Sequence, residues 1–195
     1  MFKRQQGTTL IETLVVIVII GILALCAVPA FANYRRQTSV MAAANEMRGM
    51  LRSVRSRAIA RGRNAGVKFV KAGNNWTYTL YDDGNGNGIA NADIAKKIDP
   101  RYFGPALVLP SGTASIALLP KTIKDPDGDK LNPADNALQF GNSTICSFSE
   151  LGSGTAGTIY ISDGISNLSC VRVYAASGKV RVLRYDAGKQ KWEER

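Results

Sequence analysis

The sequence contains no histidine. Chemistry that needs an imidazole base or a histidine metal ligand is therefore excluded, which removes Ser-His and Cys-His catalysis and most zinc hydrolases. Acidic residues are few beside basic ones, 15 Asp and Glu against 25 Lys and Arg, for a formal charge of +10 in 195 residues. Such a balance favours acidic partners, whether nucleic acid, anionic headgroups or an acidic protein surface. No set of residues suited to catalysis is present either. The carboxylates cluster in turn-like loops with no matching base, and the Gly-x-Gly runs lack the strand-to-helix setting of a phosphate site. A protein that is not an enzyme and uses no cofactor is expected.

What the sequence does have is a long apolar run near the amino terminus, GTTLIETLVVIVIIGILALCAVPAFA over residues 7–32. Residues 14–32 carry no charge, and as a helix rising ~1.5 Å per residue they cover roughly the 30 Å hydrocarbon core of a bilayer. A membrane span is predicted. Lys3 and Arg4 precede it, so the positive-inside bias keeps residues 1–6 in the cytoplasm and sends the chain after Asn33 to the periplasm or the exterior. Glu12 stands at the head of this run. A carboxylate there costs on the order of 2–3 kcal/mol and normally has a partner or a job. The plainer account is snorkelling at the helix start, where the helix dipole also favours negative charge.

A short basic leader ending in Gly7, the Thr8-Thr9 pair, Glu12 and the apolar run together resemble the amino terminus of the type IV pilin and pseudopilin family. The resemblance implies that a prepilin peptidase cuts between Gly7 and Thr8 and that Thr8 is then methylated. It also implies that Glu12 meets the amino-terminal charge of a neighbouring subunit during filament assembly. Gly21 and Pro29 fall where the family has points at which the helix loosens on packing; one weakens a helix entropically, the other by lacking a donor. Thr8 departs from the phenylalanine usual at that position. Two other readings compete. Ala30-Phe31-Ala32 has the small-x-small pattern of a signal peptidase site, but that leaves Glu12 unexplained and the apolar run too long. Leu25-Cys26 is a poor lipoprotein site because the residue before the cysteine is bulky.

Residues 33–63 keep a helical pattern without proline, with Val40, Ala44, Met47, Leu51, Val54 and Ala58 recurring at steps of four and three. The other faces carry Arg35, Arg36, Arg48, Arg52, Arg55, Arg57, Arg61 and Arg63. These are expected to form a solvated face, with Arg35 and Arg36 near headgroups, or alternatively a track for an acidic partner. Gly62 and Gly66 end the helix.

From Ala65 the period changes to that of strands. Residues 67–70 and 76–81 read as a pair joined at Gly73-Asn74-Asn75. Short apolar runs follow at 106–109 and 115–119, bounded by Pro105, Pro110 and Pro120, then at 138–140 and 158–161. The clearest hairpin pairs 170–174 with 180–185 across Ser177-Gly178. Between strands, Asp83, Asn85, Asn87 and Gly88 match the first half of a calcium loop, but Ile94 stands where a bidentate glutamate is needed, leaving Asp93 the nearest substitute. A plain connecting loop is favoured and no metal is expected.

The order of long helix, strand pair, Asp-Asn-Gly loop, TIYIS strand and SGKVRV hairpin is similar to the minor pseudopilin H and fimbrial T branch of the family. That likeness implies an α+β fold, a long amino-terminal helix packed on two antiparallel β-sheets. The expected organisation is a leader at 1–7, the membrane-spanning half of the helix at 8–32, its amphipathic half at 33–63 and a periplasmic β-rich domain at 64–195. The expected role is a minor subunit of a type IV pilus or type II secretion pseudopilus, anchored once in the inner membrane. Its partners would be other pilin or pseudopilin subunits, the prepilin peptidase and an inner-membrane assembly platform. In an oxidising compartment Cys146 and Cys170 are candidates for a disulfide worth ~3 kcal/mol, with two free thiols the alternative. Cys26, inside the span, reads as a small apolar residue. The second functional reading is a pilus-borne DNA-binding subunit, in which Arg172, Lys179, Arg181 and Arg184 contact phosphates beside Tyr174, Tyr185 and Trp192. Lys189, Lys191 and Arg195 extend that basic surface into the tail.

Overall fold

A computed structural model describes residues 9–73, 75–109 and 113–194, and of Cys26 and Pro29 the backbone only. Lys3, Arg4, Gly7, Thr8, Asn74, Pro110 and Arg195, on which sequence expectations fall, lie outside the described residues.

Helix α1 (Leu10–Arg61) is one element of 52 residues. It begins where the Thr9 hydroxyl accepts the Glu12 backbone N–H at 3.3 Å, a side-chain cap for one of the orphan donors of the first turn. It ends in a Schellman turn. Gly62 takes φ +59°, its N–H donates to the Ile59 carbonyl, and the Arg63 N–H reaches back to the Ala58 carbonyl. Glycine reaches that left-handed conformation without the steric cost of a Cβ. Gly21 and Pro29 both lie within helical backbone.

The chain divides into two units, Met1–Arg36 and Gln37–Arg195. In the first, the large apolar side chains described from Leu10 to Phe31 are all exposed, and the helix is long and apolar enough to cross a membrane. In the second, the predicted stripe is buried without exception: Val40, Ala44, Met47, Leu51, Val54 and Ala58 are each at most 3% exposed.

The stripe packs on strands whose alternation sorts their side chains into two layers. After α1 come β1 (Ala65–Ala72), β2 (Asn75–Asp82), a short helix α2 (Asn91–Ala95) and β3 (Arg101–Leu107). Then follow β4 (Ser115–Ile116), β5 (Ile123–Lys124), β6 (Lys130–Leu131), β7 (Leu138–Gln139) and β8 (Ile145–Phe148). The last four are β9 (Gly157–Ser162), β10 (Leu168–Tyr174), β11 (Lys179–Asp186) and β12 (Lys191–Glu194). One sheet has the order β3-β2-β1-β8 and a second runs β12-β11-β10-β9-β4, with β7 also on β9; β5 and β6 form a separate hairpin. All pairings are antiparallel. The α+β architecture and the two main sheets agree with the sequence reading. Pairing in β3 begins at Arg101, ahead of the apolar run at 106–109. Only Ser115 and Ile116 of the 115–119 run are paired, while Leu119 is buried in a second core cluster. β8, β12, α2 and the β5–β6 hairpin were not expected.

The two faces of the second sheet explain both clusters. Ile159, Ile161, Val171, Val173, Val180 and Val182 point to the α1 stripe, together with Val67 and Phe69 of the first sheet. Tyr160, Leu168, Cys170 and Tyr185, one residue out of phase, point the other way, where Leu119, Ile123 and Leu131 cover them.

Of the arginines predicted on the other faces, Arg35, Arg52, Arg61 and Arg63 are exposed, and four of the set reach partners within the chain. Arg52 donates to the Val180 carbonyl, and Arg55 donates to the carbonyls of Gly152 at 2.8 Å and Ser177 at 3.1 Å. Arg57 makes a two-pronged contact with Asp82 at 2.7 and 2.6 Å, stacks over Tyr102 at 3.7 Å, and is joined on Asp82 by Arg61. Guanidinium suits this use because its planar fork binds carboxylate and carbonyl oxygens while its face meets a ring. Burial pushes the Tyr102 phenol up to about 12 against the opposing pull of the Arg57 charge.

Truncation of a stripe residue should therefore cost far more than truncation beside it. Leu51→Ala is expected to lower stability by about 3 kcal/mol and Ile59→Ala, half exposed on the same helix, by under ~1 kcal/mol, as read by urea unfolding of the detergent-solubilised chain.

Candidate functional site

Glu12, Gly21 and Pro29 belong to the first unit and the other predicted site residues described here to the second. Glu12 sits exposed in the first turn of α1, its N–H capped by Thr9, and its carboxylate makes no ion pair with any described residue. The cap fixes the backbone of the turn and leaves the carboxylate available. Gly7 and Thr8, the predicted cleavage pair, are outside the described residues, and Gly21 has open space around its Cα.

The Asp-Asn-Gly loop after β2 is closed by its own hydrogen bonds. Asp83, 1% exposed, accepts from the Asn64 amide at 2.6 Å and from the N–H groups of Asn85, Gly86 and Gly88. Burial alone would raise its pKa, but these donors outweigh it and hold the carboxyl below its ordinary range. The amides of Asn85 and Asn87 both donate to Asp93, at 3.4 and 3.1 Å. A cation would need those amides turned oxygen-first. Among the described residues no group of three or more carboxylate or thiol side chains is placed to hold a metal. Asp99 is a further buried carboxylate that the sequence did not single out. It accepts from the N–H groups of Gly84 and Ala90, each at 3.2 Å, and ties the loop to the chain entering β3. Gly84 is required there, since a Cβ would lie 1.9 Å from the Ile98 carbonyl oxygen.

The expected disulfide is corrected: Cys146 and Cys170 are both free, buried thiols. Cys146 lies on β8 opposite Val67, in the cluster that meets α1. Cys170, on β10, faces the opposite side of its sheet into the second cluster, so the sheet itself stands between them. Burial raises both thiols, Cys170 to about 12, and neither has the character of a reactive thiolate.

The carboxy-terminal hairpin does not present a free basic surface. Alternation places Arg184 on the α1 side, where the Gln37 amide, its oxygen turned to the guanidinium, accepts from both terminal nitrogens at 2.5 and 3.1 Å. Arg172 and Arg181 stand directly opposite each other on β10 and β11, a repulsive placement on its own. Arg172 pairs with Asp127, Arg181 with Glu194 at 2.5 Å, and both approach the Tyr174 ring at 5.6 Å. Lys189 pairs with Glu193 and Asp186. Trp192 and Tyr185 pack on one another at 5.3 Å. Lys179 and Lys191 are exposed, but the surroundings of Arg172, Arg181, Arg184, Lys189 and the rings are those of internal contacts, not of a phosphate track.

A fold that opens on one long helix with an apolar, exposed head and backs its tail with antiparallel sheets defines a class of helix-led α+β proteins. The chain belongs to the family described as type II transport protein GspH, whose model matches residues 43–178. Residues 2–27 match the prokaryotic N-terminal methylation motif. Among curated proteins the chain is similar to the type IV major fimbrial protein FimA of Dichelobacter nodosus, 36% identical over 85 residues, 44% of this chain and 51% of that one. It is also similar to two fimbrial proteins of Pseudomonas aeruginosa, each 41% identical over 61 residues, 31% of this chain and 39% of theirs. The chain thus spans about half the length of the first relative and less of the others. No solved structure matches it.

Because the native Asp83 carboxyl titrates below its unfolded value, its contribution to stability is complete above about pH 4 and is lost as pH falls through the native value. Asp83→Asn is expected to cost about 2 kcal/mol near neutrality and to make the acid limb of the stability curve shallower, measured by urea unfolding across pH.

Proposed function

We propose that the chain is a minor pilin or pseudopilin subunit that assembles with other such subunits into a type IV pilus or a type II secretion pseudopilus, a structural and not a catalytic role. The observation that carries this reading is the head of α1, an exposed apolar helix whose capped first turn holds Glu12, without an ion pair to any described residue. The match to the methylation motif and the similarity to fimbrial proteins support it.

In this reading residues 1–7 are a leader, removed by prepilin peptidase between Gly7 and Thr8 with methylation of Thr8. Residues 8–32 hold the chain in the inner membrane as a single pass, residues 33–63 continue the helix, and residues 64–195 form the displayed periplasmic domain. Loss of the leader takes Lys3 and Arg4 from the cytoplasmic end, so the charge that favoured that orientation is gone when the subunit must leave the bilayer. Glu12 then pairs with the amino-terminal charge of a neighbour at the assembly platform. A carboxylate in apolar surroundings is tolerated once paired. Gly21 and Pro29 are the points at which α1 loosens as the apolar halves pack together.

Glu12→Ala is the direct test, in cells that carry the filament machine. The variant should remain folded and in the membrane fraction yet be lost from sheared filaments, while Glu12→Asp should retain part of its incorporation. Wild-type incorporation of Glu12→Ala would count against the reading.

A further inference from the structure

The β5–β6 hairpin and the turn between β11 and β12 enclose a cavity of about 280 Å³. Its lining brings together Lys121, Lys124 and Lys130 with Tyr185 and Gln190, and no carboxylate lines it. These lysines differ from several other cations on this side of the second sheet. Arg172, Arg181 and Lys189 each have a carboxylate partner, whereas none of the three lysines makes an ion pair with a described residue.

The acids nearby are largely committed elsewhere. Asp125 closes the hairpin turn by accepting the N–H groups of Asp127 and Asp129, and Asp127 holds Arg172. Asp186 accepts from the N–H groups of Gly188 and Lys189, and Glu193 and Glu194 pair with Lys189 and Arg181. Asp129 lies in the turn but outside the lining. Three lysines thus line one concavity with no ion pair to a described residue and no carboxylate in the lining, a placement that favours an anionic ligand there. The wall is also fixed, because the Trp192 indole N–H donates to the Lys124 carbonyl at 2.9 Å.

We propose that this cavity receives the carboxylates of an acidic peptide segment from a protein partner. Ammonium groups on flexible stems meet carboxylates as point charges without demanding a planar fork, and the methylenes of those stems offer apolar surface to a glutamate side chain. Nucleic acid fits less well. Strand binding relies on free rings for base stacking, and here Trp192 is spent on Tyr185, Tyr160 and the Lys124 carbonyl. The volume also lies at the lower end for ligand sites, enough for a few side chains and not for a polymer track. The inference rests on the displayed domain meeting protein partners, but its test is independent of filament assembly.

The full chain in an uncharged detergent is titrated calorimetrically with a short capped polyglutamate peptide at low salt. Binding is expected, with none to the matching polyglutamine peptide and loss on adding salt. The double variant Lys121→Gln, Lys124→Gln should weaken it about tenfold, Lys130→Gln alone should weaken it less, and Lys179→Gln, outside the lining, should leave it unchanged. Unaltered melting of each variant keeps the comparison on binding, and Lys130→Gln serves if the double variant does not fold. Failure of the wild-type chain to bind, equal binding by the lysine variants, or tighter binding of a single-stranded oligonucleotide through the same lysines would each overturn the inference. None of these results bears on the role of Glu12.

Discussion

Two antiparallel sheets each turn an apolar face inward and need a common surface on which to bury it, and the stripe from Val40 to Ala58 supplies it. That constraint explains much of the second unit. It fixes the phase of β10 and β11, because Val171, Val173, Val180 and Val182 must face the helix. Out-of-phase residues are thereby sent to the opposite side, where they need the β5–β6 hairpin as a cover. It also requires the helix to stop cleanly at Gly62 so that β1 can turn back along it.

The same helix carries two chemistries along its length. Its head presents apolar side chains with one capped acidic turn; its tail presents a buried stripe flanked by arginines that grip the sheets. A formal charge of +10 suggests a basic surface, yet on α1 and the last hairpin most guanidinium groups that have named contacts are turned to carbonyls, carboxylates or rings of the same chain. Lys121, Lys124 and Lys130, which form no ion pair with a described residue, gather around one concavity.

The parts legible in the sequence were those set by local period. The helical stripe, the β1–β2 pair and the β10–β11 hairpin follow from steps of 3.6 and 2, and the turn at Gly178 from its neighbours. What was missed depends on partners far away in the chain. Arg55 and Arg52 find acceptors 97 to 128 residues distant, and β8 is one apolar pair, a serine and a lone phenylalanine until Val67 and Ala65 lie beside it. Asp99 has no motif around it and becomes visible only when Gly84 and Ala90 turn their N–H groups to it. The cysteine error was avoidable. Cys170 is out of phase with Val171 and Val173, so once those are assigned to the helix side the thiol must face away from it.

The central claim is that the apolar head of α1 is the business end of a processed filament subunit, and its most direct test is the amino-terminal sequence and intact mass of the protein recovered from cells with a prepilin peptidase. The account requires a chain that starts at Thr8, carrying one methyl group. A chain that starts at Asn33, or one that retains Met1, would contradict it and leave α1 as a signal sequence or a plain anchor.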